Sequence, residues 1–188
     1  PMEMPLPPTM SIASLTTCLL RSVRCSLAMP EITAGFSPRS IAAAVRQLSG
    51  RGVTFATIHG NQAIMEAAAA AKGDVKILAV TVLTSLEKPD LEQQGIKDMA
   101  PADLVAHRAR LARAARIDGI VASGHEAGLI RAEVGPGVLI VTPGIRLAGG
   151  VAGDQARAMT PGKAIAAGAD LLVVGRPITE ADDPRAAA

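Results

Sequence analysis

The stretch Leu-Ile-Val-Thr-Pro-Gly-Ile-Arg (residues 139–146), continued by Gly-Gly-Val-Ala-Gly-Asp-Gln (149–155) and Leu-Leu-Val-Val-Gly-Arg-Pro-Ile-Thr (171–179), decides the fold. Two short apolar runs each end abruptly in glycine and arginine: Gly144 and Arg146 after the first, Gly175 and Arg176 after the second. Between them lie a glycine-rich loop and a segment, residues 160–167, that reads as a small helix with Thr160 as N-cap and Pro161 in its first turn. Apolar runs this short read as buried strands. A buried strand that delivers glycine and arginine at its carboxyl end is suited to hold a phosphate. Glycine lets backbone N–H groups approach the oxygens, and arginine adds a forked, charged donor. In a (β/α)8 barrel the loops after the last two strands are the usual phosphate site.

The same alternation extends upstream. Residues 40–48 read as a helix with Ser37 or Ser40 near its start and Gly50 and Gly52 beyond its end. Residues 53–59 are a short β-branched run, a strand, and 61–71 an alanine-rich helix stopped by Lys72 and Gly73. Residues 75–83 form the longest apolar run, a buried parallel strand, and 87–96 a polar connection. A helix over 102–116 carries Leu104, Val105, Ala112 and Ala115 on its apolar side. A strand over 119–122 and a helix over 125–134 follow, the latter ended by Gly135-Pro136-Gly137. With 139–142 and 171–174 this makes five strands alternating with helices, hence a parallel sheet of right-handed βαβ units. An open doubly wound sheet fits that alternation too, but no Gly-x-Gly-x-x-Gly follows an early strand. The paired glycine–arginine ends favour an α/β fold of the TIM (β/α)8-barrel type, incomplete or with an irregular N-terminal part. Residues 1–40 stand apart as an atypical segment, and 41–188 read as the C-terminal part of the barrel with its phosphate-binding end.

The chain has 188 residues, enough for one domain with a sizeable core and fewer than the roughly 200–250 of a complete barrel. Two Phe, no Tyr and no Trp remove the stacking platform of a single-strand nucleic-acid binder, so no nucleic-acid partner is expected. The net charge of +2 is spread along the chain, which reads as an ordinary solvated surface. Cys18 and Cys25 have no Cys or His neighbours at ligand spacing, so neither a metal site nor a disulfide scaffold is expected, and the cytosol is the natural compartment. Residues 11–29 are apolar but interrupted by Arg21 and Arg24. A membrane span needs about 20 nearly uncharged residues, and a secretory signal wants its charge ahead of the apolar run, so neither is read here.

The three motifs of the opening stretch, in this order and spacing, resemble the C-terminal third of the orotidine 5'-monophosphate decarboxylase family. The resemblance runs from about Ile41 to Ala188. Residues 52–59 are similar to the family's fourth strand and 79–86 (Ala-Val-Thr-Val-Leu-Thr-Ser-Leu) to its fifth. It implies a cofactor-free carboxy-lyase of pyrimidine biosynthesis that converts orotidine monophosphate (OMP) to UMP and CO2 as a cytoplasmic homodimer. It also implies that Thr84 sits at the pyrimidine end of the site and that Arg146, Gly175 and Arg176 hold the phosphate. It further implies that Gln155 lies on a loop that closes over the nucleotide. Plainer readings stand beside these: Thr84 as a strand-end hydroxyl, Arg146 as half of a surface ion pair, His59 as a hydrogen-bonded structural histidine. His107 and His125 read as solvent-facing, Asp154 and Glu126 as structural.

The family's chemistry rests on an Asp-x-Lys-x-x-Asp run after the third strand, whose lysine protonates the carbanion left when CO2 departs. Counting back without gaps from Gly52 and Val53 puts Glu31 on the first aspartate, Thr33 on the lysine and Phe36 on the second aspartate. Threonine cannot donate a proton as an ammonium does, so weak nucleotide-phosphate binding with little turnover is expected. A shifted reading frame or altered start would account for both the missing run and the odd composition of residues 1–40. A sugar-phosphate enzyme on a related barrel and a non-catalytic nucleotide-phosphate-binding or dimer-partner protein are the alternatives.

Overall fold

A computed structural model describes residues 37–82, 88–93, 96, 99–146 and 158–187. Of the segment read as 1–40, residues 1–36 with Glu31, Thr33 and Phe36 fall outside the described residues, as do Thr84 and Gln155, while Pro38, Arg39 and Ser40 open α1. The elements run α1 (Pro38–Arg46), β1 (Phe55–His59), α2 (Gln62–Ala71), β2 (Lys76–Val80), α3 (Lys88–Gln93), α4 (Pro101–Ala114), β3 (Gly119–Val121), α5 (Ala127–Val134), β4 (Leu139–Thr142), α6 (Pro161–Ala166), β5 (Leu171–Leu172), α7 (Arg176–Thr179) and α8 (Pro184–Ala187).

All five strands are parallel, and their order in the sheet is their order in the chain. A doubly wound sheet must reverse its order at a switch point. This one never does, so the βαβ units coil in one direction, as the wall of a barrel does. Among the described residues β1 pairs only with β2 and β5 only with β4, so the wall is not closed.

Alternation along the strands divides the two faces. Phe55, Leu78 and Val141, with Val121, Leu139, Leu171 and Val173 against them, form the cluster on the inner face. Ala56, Ile58, Ile77, Ala79, Ile120 and Ile140 point the other way, into the main core with Met65, Ala68, Val105, Ala109 and Ile130 of the helices. Gly119 belongs to the inner face, where a Cβ would lie 2.6 Å from a Leu78 methyl.

Local chemistry explains most element ends. The Ser37 hydroxyl caps α1, accepting from Ser40 N at 3.2 Å, and Pro38 follows it. Thr160 occupies the N-cap of α6 but makes no side-chain cap bond. The strands expected over 75–83 and 171–174 pair only over Lys76–Val80 and Leu171–Leu172. Val173 N still donates to Thr142 O at 2.9 Å beyond the paired residues of β4 and β5, while Pro143, at a position facing β3, brings no N–H to extend the pairing on that side. The polar connection expected over 87–96 is corrected: it contains α3, whose Leu91 is 1% exposed in the core. One buried leucine among polar residues is too sparse a period to read from sequence. The short α7 and α8 were likewise not expected from the sequence.

At the amino ends of the strands, aspartates set the register. Asp118 precedes β3. Its Oδ2 accepts from Ile77 N of β2 at 2.8 Å, and its Oδ1 accepts from Lys72 at 2.6 Å. Asp170 precedes β5 and repeats the device, with Oδ2 accepting from Ile140 N of β4 at 2.7 Å and from Arg131 at 2.5 Å. Arg131 also donates to the carbonyls of Gly135, Val138 and Gly168. A third aspartate, Asp74, accepts from Ser49 Oγ at 2.7 Å and Gly50 N at 3.0 Å. These bonds, the serine's first, hold its carboxyl below the ordinary 3.8.

Two predictions follow from these bonds. Asp118→Ala strands the Ile77 N–H and the Lys72 ammonium, and should lower unfolding free energy by about 1–3 kcal/mol in urea titrations. The Asp74 contribution, coming from a depressed folded value, is present above 3.8 and fades as pH falls through that lowered value. Asp74→Asn should therefore flatten the acid limb of a Tm-against-pH curve and leave its shape near neutrality unchanged.

Candidate functional site

The carboxyl ends of β4 and β5 lie side by side, with Thr142 opposite Leu172. Arg146 stands four residues beyond the first and Arg176 four beyond the second. The two arginines and Gly175 are thus delivered to one end of the sheet by neighbouring strands, as the paired motifs anticipated.

After Pro143 the chain turns at Gly144, whose φ of +75° favours glycine. Ile145 then forms a parallel bridge with Met159. Met159 N donates to Gly144 O at 3.2 Å and Arg146 N to Met159 O at 3.0 Å. Residue 146 is thus held beside residue 159. Arg146 is half-buried, and its Nη1 donates to Ile145 O at 2.9 Å, a backbone carbonyl rather than the carboxylate a surface ion pair would need.

On β5, Gly175 is the N-cap of α7, and its carbonyl accepts from Ile178 N at 2.8 Å and Thr179 N at 3.1 Å. A Cβ built on Gly175 meets nothing within 4 Å, so the space above this backbone is open. Arg176 opens α7 and is exposed. Gly175 thus presents open backbone next to the exposed Arg176 at the same end of the sheet as Arg146.

The rest of this end is lined by the other strand termini. His59 ends β1 and is exposed. Gly60 packs so closely on β2 that its N donates to Val80 O at 2.9 Å and a Cβ would sit 2.5 Å from that oxygen. Beyond β2, Thr81 is buried, its hydroxyl donates to Val121 O at 3.3 Å, and its carbonyl accepts from Arg108 of α4. Burial pushes the Arg108 pKa down. Ser123 and Glu126 are buried in the turn after β3, where Ser123 Oγ accepts from His125 N at 3.4 Å. His107 and His125 are exposed, as expected.

Sequence reading passed over Arg108, though a signal was there. It lies four residues from both Leu104 and Ala112, inside the buried stripe of α4, where a charge requires an acceptor. Among the described residues no cluster of three or more His, Cys, Asp or Glu is placed to hold a metal, and no helix is long and apolar enough to cross a membrane.

Residues 38–188 match the family model described as orotidine 5'-phosphate decarboxylase / HUMPS family. An orotidine 5'-phosphate decarboxylase of Rhodopseudomonas palustris is 54% identical over 151 residues, 79% of this chain. One of Stenotrophomonas maltophilia is 55% identical over 153 residues, 80% of the chain. The matched region spans only 64% and 63% of those two relatives' own length. Among solved structures, the orotidine 5'-phosphate decarboxylase of Lactobacillus acidophilus superposes with TM-score 0.69 at 31% identity, covering 81% of this chain and 67% of that one. An uncharacterized conserved protein of Geobacillus kaustophilus superposes with TM-score 0.67 at 28% identity, covering 83% of this chain and 70% of that one.

The close approach at Gly60 yields a prediction about this end of the sheet. Gly60→Ala drives a methyl into the Val80 carbonyl and should cost about 1–3 kcal/mol in urea unfolding.

Proposed function

We propose, for a chain that belongs to the orotidine 5'-phosphate decarboxylase / HUMPS family, that it carries the phosphate-holding end of an OMP decarboxylase. The observation that supports this most is the delivery of Arg146 and of Gly175 with Arg176 to the same end of the sheet by two neighbouring parallel strands. Arg146 and Arg176 take the phosphate oxygens of the nucleotide through charge-assisted hydrogen bonds, and the backbone at Gly175 leaves room for them. Thr84 and Gln155, carried over from the family, reach the pyrimidine and close over the nucleotide. The reaction assigned is loss of CO2 from OMP to give UMP, in the cytoplasm, by a homodimer that needs no cofactor.

The catalytic half of that reading is weaker in this chain. Glu31, Thr33 and Phe36 stand where the resemblance puts aspartate, lysine and aspartate. Phosphate binding at a distance accelerates a reaction only when groups at the reacting carbon use it. A missing general acid alone costs about 10²–10⁴-fold in rate. The expected behaviour is nucleotide binding with turnover far below that of a relative carrying the lysine.

Titration calorimetry with UMP, beside an absorbance assay of OMP loss, tests both parts. Arg176→Ala and Arg146→Ala should each weaken UMP binding about tenfold or more, the loss of one charged hydrogen bond. UMP affinity untouched by either substitution would refute the phosphate assignment. Turnover equal to that of a lysine-bearing relative would refute the reading of Thr33.

A further inference from the structure

We propose that Gly124 and Met159 form a positioning pair for Arg146: the bare backbone of Gly124 is the seat on which the Met159 side chain rests, and that seat sets where the arginine stands. The inference rests on the assignment of Arg146 to the nucleotide phosphate.

Met159 touches the site through its backbone and the turn after β3 through its side chain. Its N–H and carbonyl bracket the Ile145 bridge, bonding Gly144 O at 3.2 Å and Arg146 N at 3.0 Å. Its side chain packs against the buried cluster of Ile145, Ala164 and Ala169 and reaches across to Gly124. A Cβ at Gly124 would stand 2.7 Å from the Met159 sulfur, 3.4 Å from the Thr142 Cγ2 and 3.5 Å from the Met159 Cε. An added methyl there would force the Met159 thioether to shift. No positive φ requires this glycine, so close approach is the physical reason for it. Thr142 cannot yield on the other side, because it is fully buried in the β4–β5 ladder.

Met159 is thus clamped from both ends. Its side chain is pinned between β4 and the turn after β3, and its backbone carries residues 144–146. An unbranched thioether can bend out of the way of an added methyl. Where its packing on the Ile145–Ala164 cluster opposes that rotation, the displacement passes to the Met159 backbone, and the two hydrogen bonds transmit it to Arg146. A displacement of a few tenths of an ångström misaligns a guanidinium fork that must meet two oxygens at once.

UMP affinity of the full chain tests this in a mutant cycle, with Tm recorded for each variant. Gly124→Ala should weaken UMP about tenfold, a coupling of the size seen between residues in contact. The same substitution should do nothing in a Met159→Ala background, where the methyl meets no sulfur, and nothing in an Arg146→Ala background, where there is no fork left to misalign. It should still weaken UMP in an Arg176→Ala background. If Gly124→Ala proves too unstable to assay, Met159→Ala alone decides: about a threefold loss in the parent and none beside Arg146→Ala supports the pair, whereas a loss that persists without Arg146 overturns it. Full UMP affinity in a folded Gly124→Ala protein, with Arg146→Ala impaired, overturns the positioning pair and leaves the phosphate assignment standing. UMP affinity indifferent to Arg146→Ala overturns both.

Discussion

Five short parallel strands cannot satisfy their own backbones at the ends, and this fold depends on what is recruited to do so. At the amino end the partners are carboxylates. Asp118 and Asp170 each accept the N–H of the second residue in the preceding strand and each anchor a cation from the helix layer. The two constellations are alike although two strands apart. Each fixes the stagger between one strand and the next, and a slip of one residue would turn the inner face outward.

At the carboxyl end the same deficit is met differently, and there lies the room for function. The β4–β5 ladder gives out after Val173, and the backbone beyond it is tied through the Ile145–Met159 bridge and the turn at Gly175. Glycine dominates this end because backbones approach one another: Gly60 against the Val80 carbonyl, Gly124 against the Met159 sulfur. Arg108 adds a cation committed to a backbone carbonyl beyond β2. Stability is concentrated where the strands begin and adaptable chemistry where they end, the division typical of barrels.

Family membership and local geometry speak to different parts of the molecule. The match over residues 38–188 takes in the strand ends that carry Arg146, Gly175 and Arg176. The run counted to Glu31, Thr33 and Phe36 lies ahead of it. A phosphate grip supplies affinity and orientation, whereas rate comes from groups that act on the reacting carbon. The two can therefore be separated in one chain.

Much of this was legible in the sequence. Residues 139–142 show their strand because three apolar residues run into Thr-Pro-Gly, a turn signal. Helices α1 and α2 show an end each, Ser37 and Lys72, and α4 shows its apolar side. The paired glycine–arginine ends marked one candidate phosphate site because an arginine follows a short apolar run twice, each time beside glycine. What the sequence could not decide was order and contact. Alternating strands and helices fit a doubly wound sheet as well as a barrel, and only the uninterrupted β1-β2-β3-β4-β5 order separates them. Helix α3 rests on the burial of one leucine, which no local period announces. The sulfur of Met159 against Gly124, the carboxylates of Asp118 and Asp170 on neighbouring strands, and Arg108 on the Thr81 carbonyl all join residues distant along the chain. Local propensity determined which segments form strands and helices, because it acts within a few residues. Which residues then touch was decided by close packing of the whole domain, where each contact depends on every other element being in place.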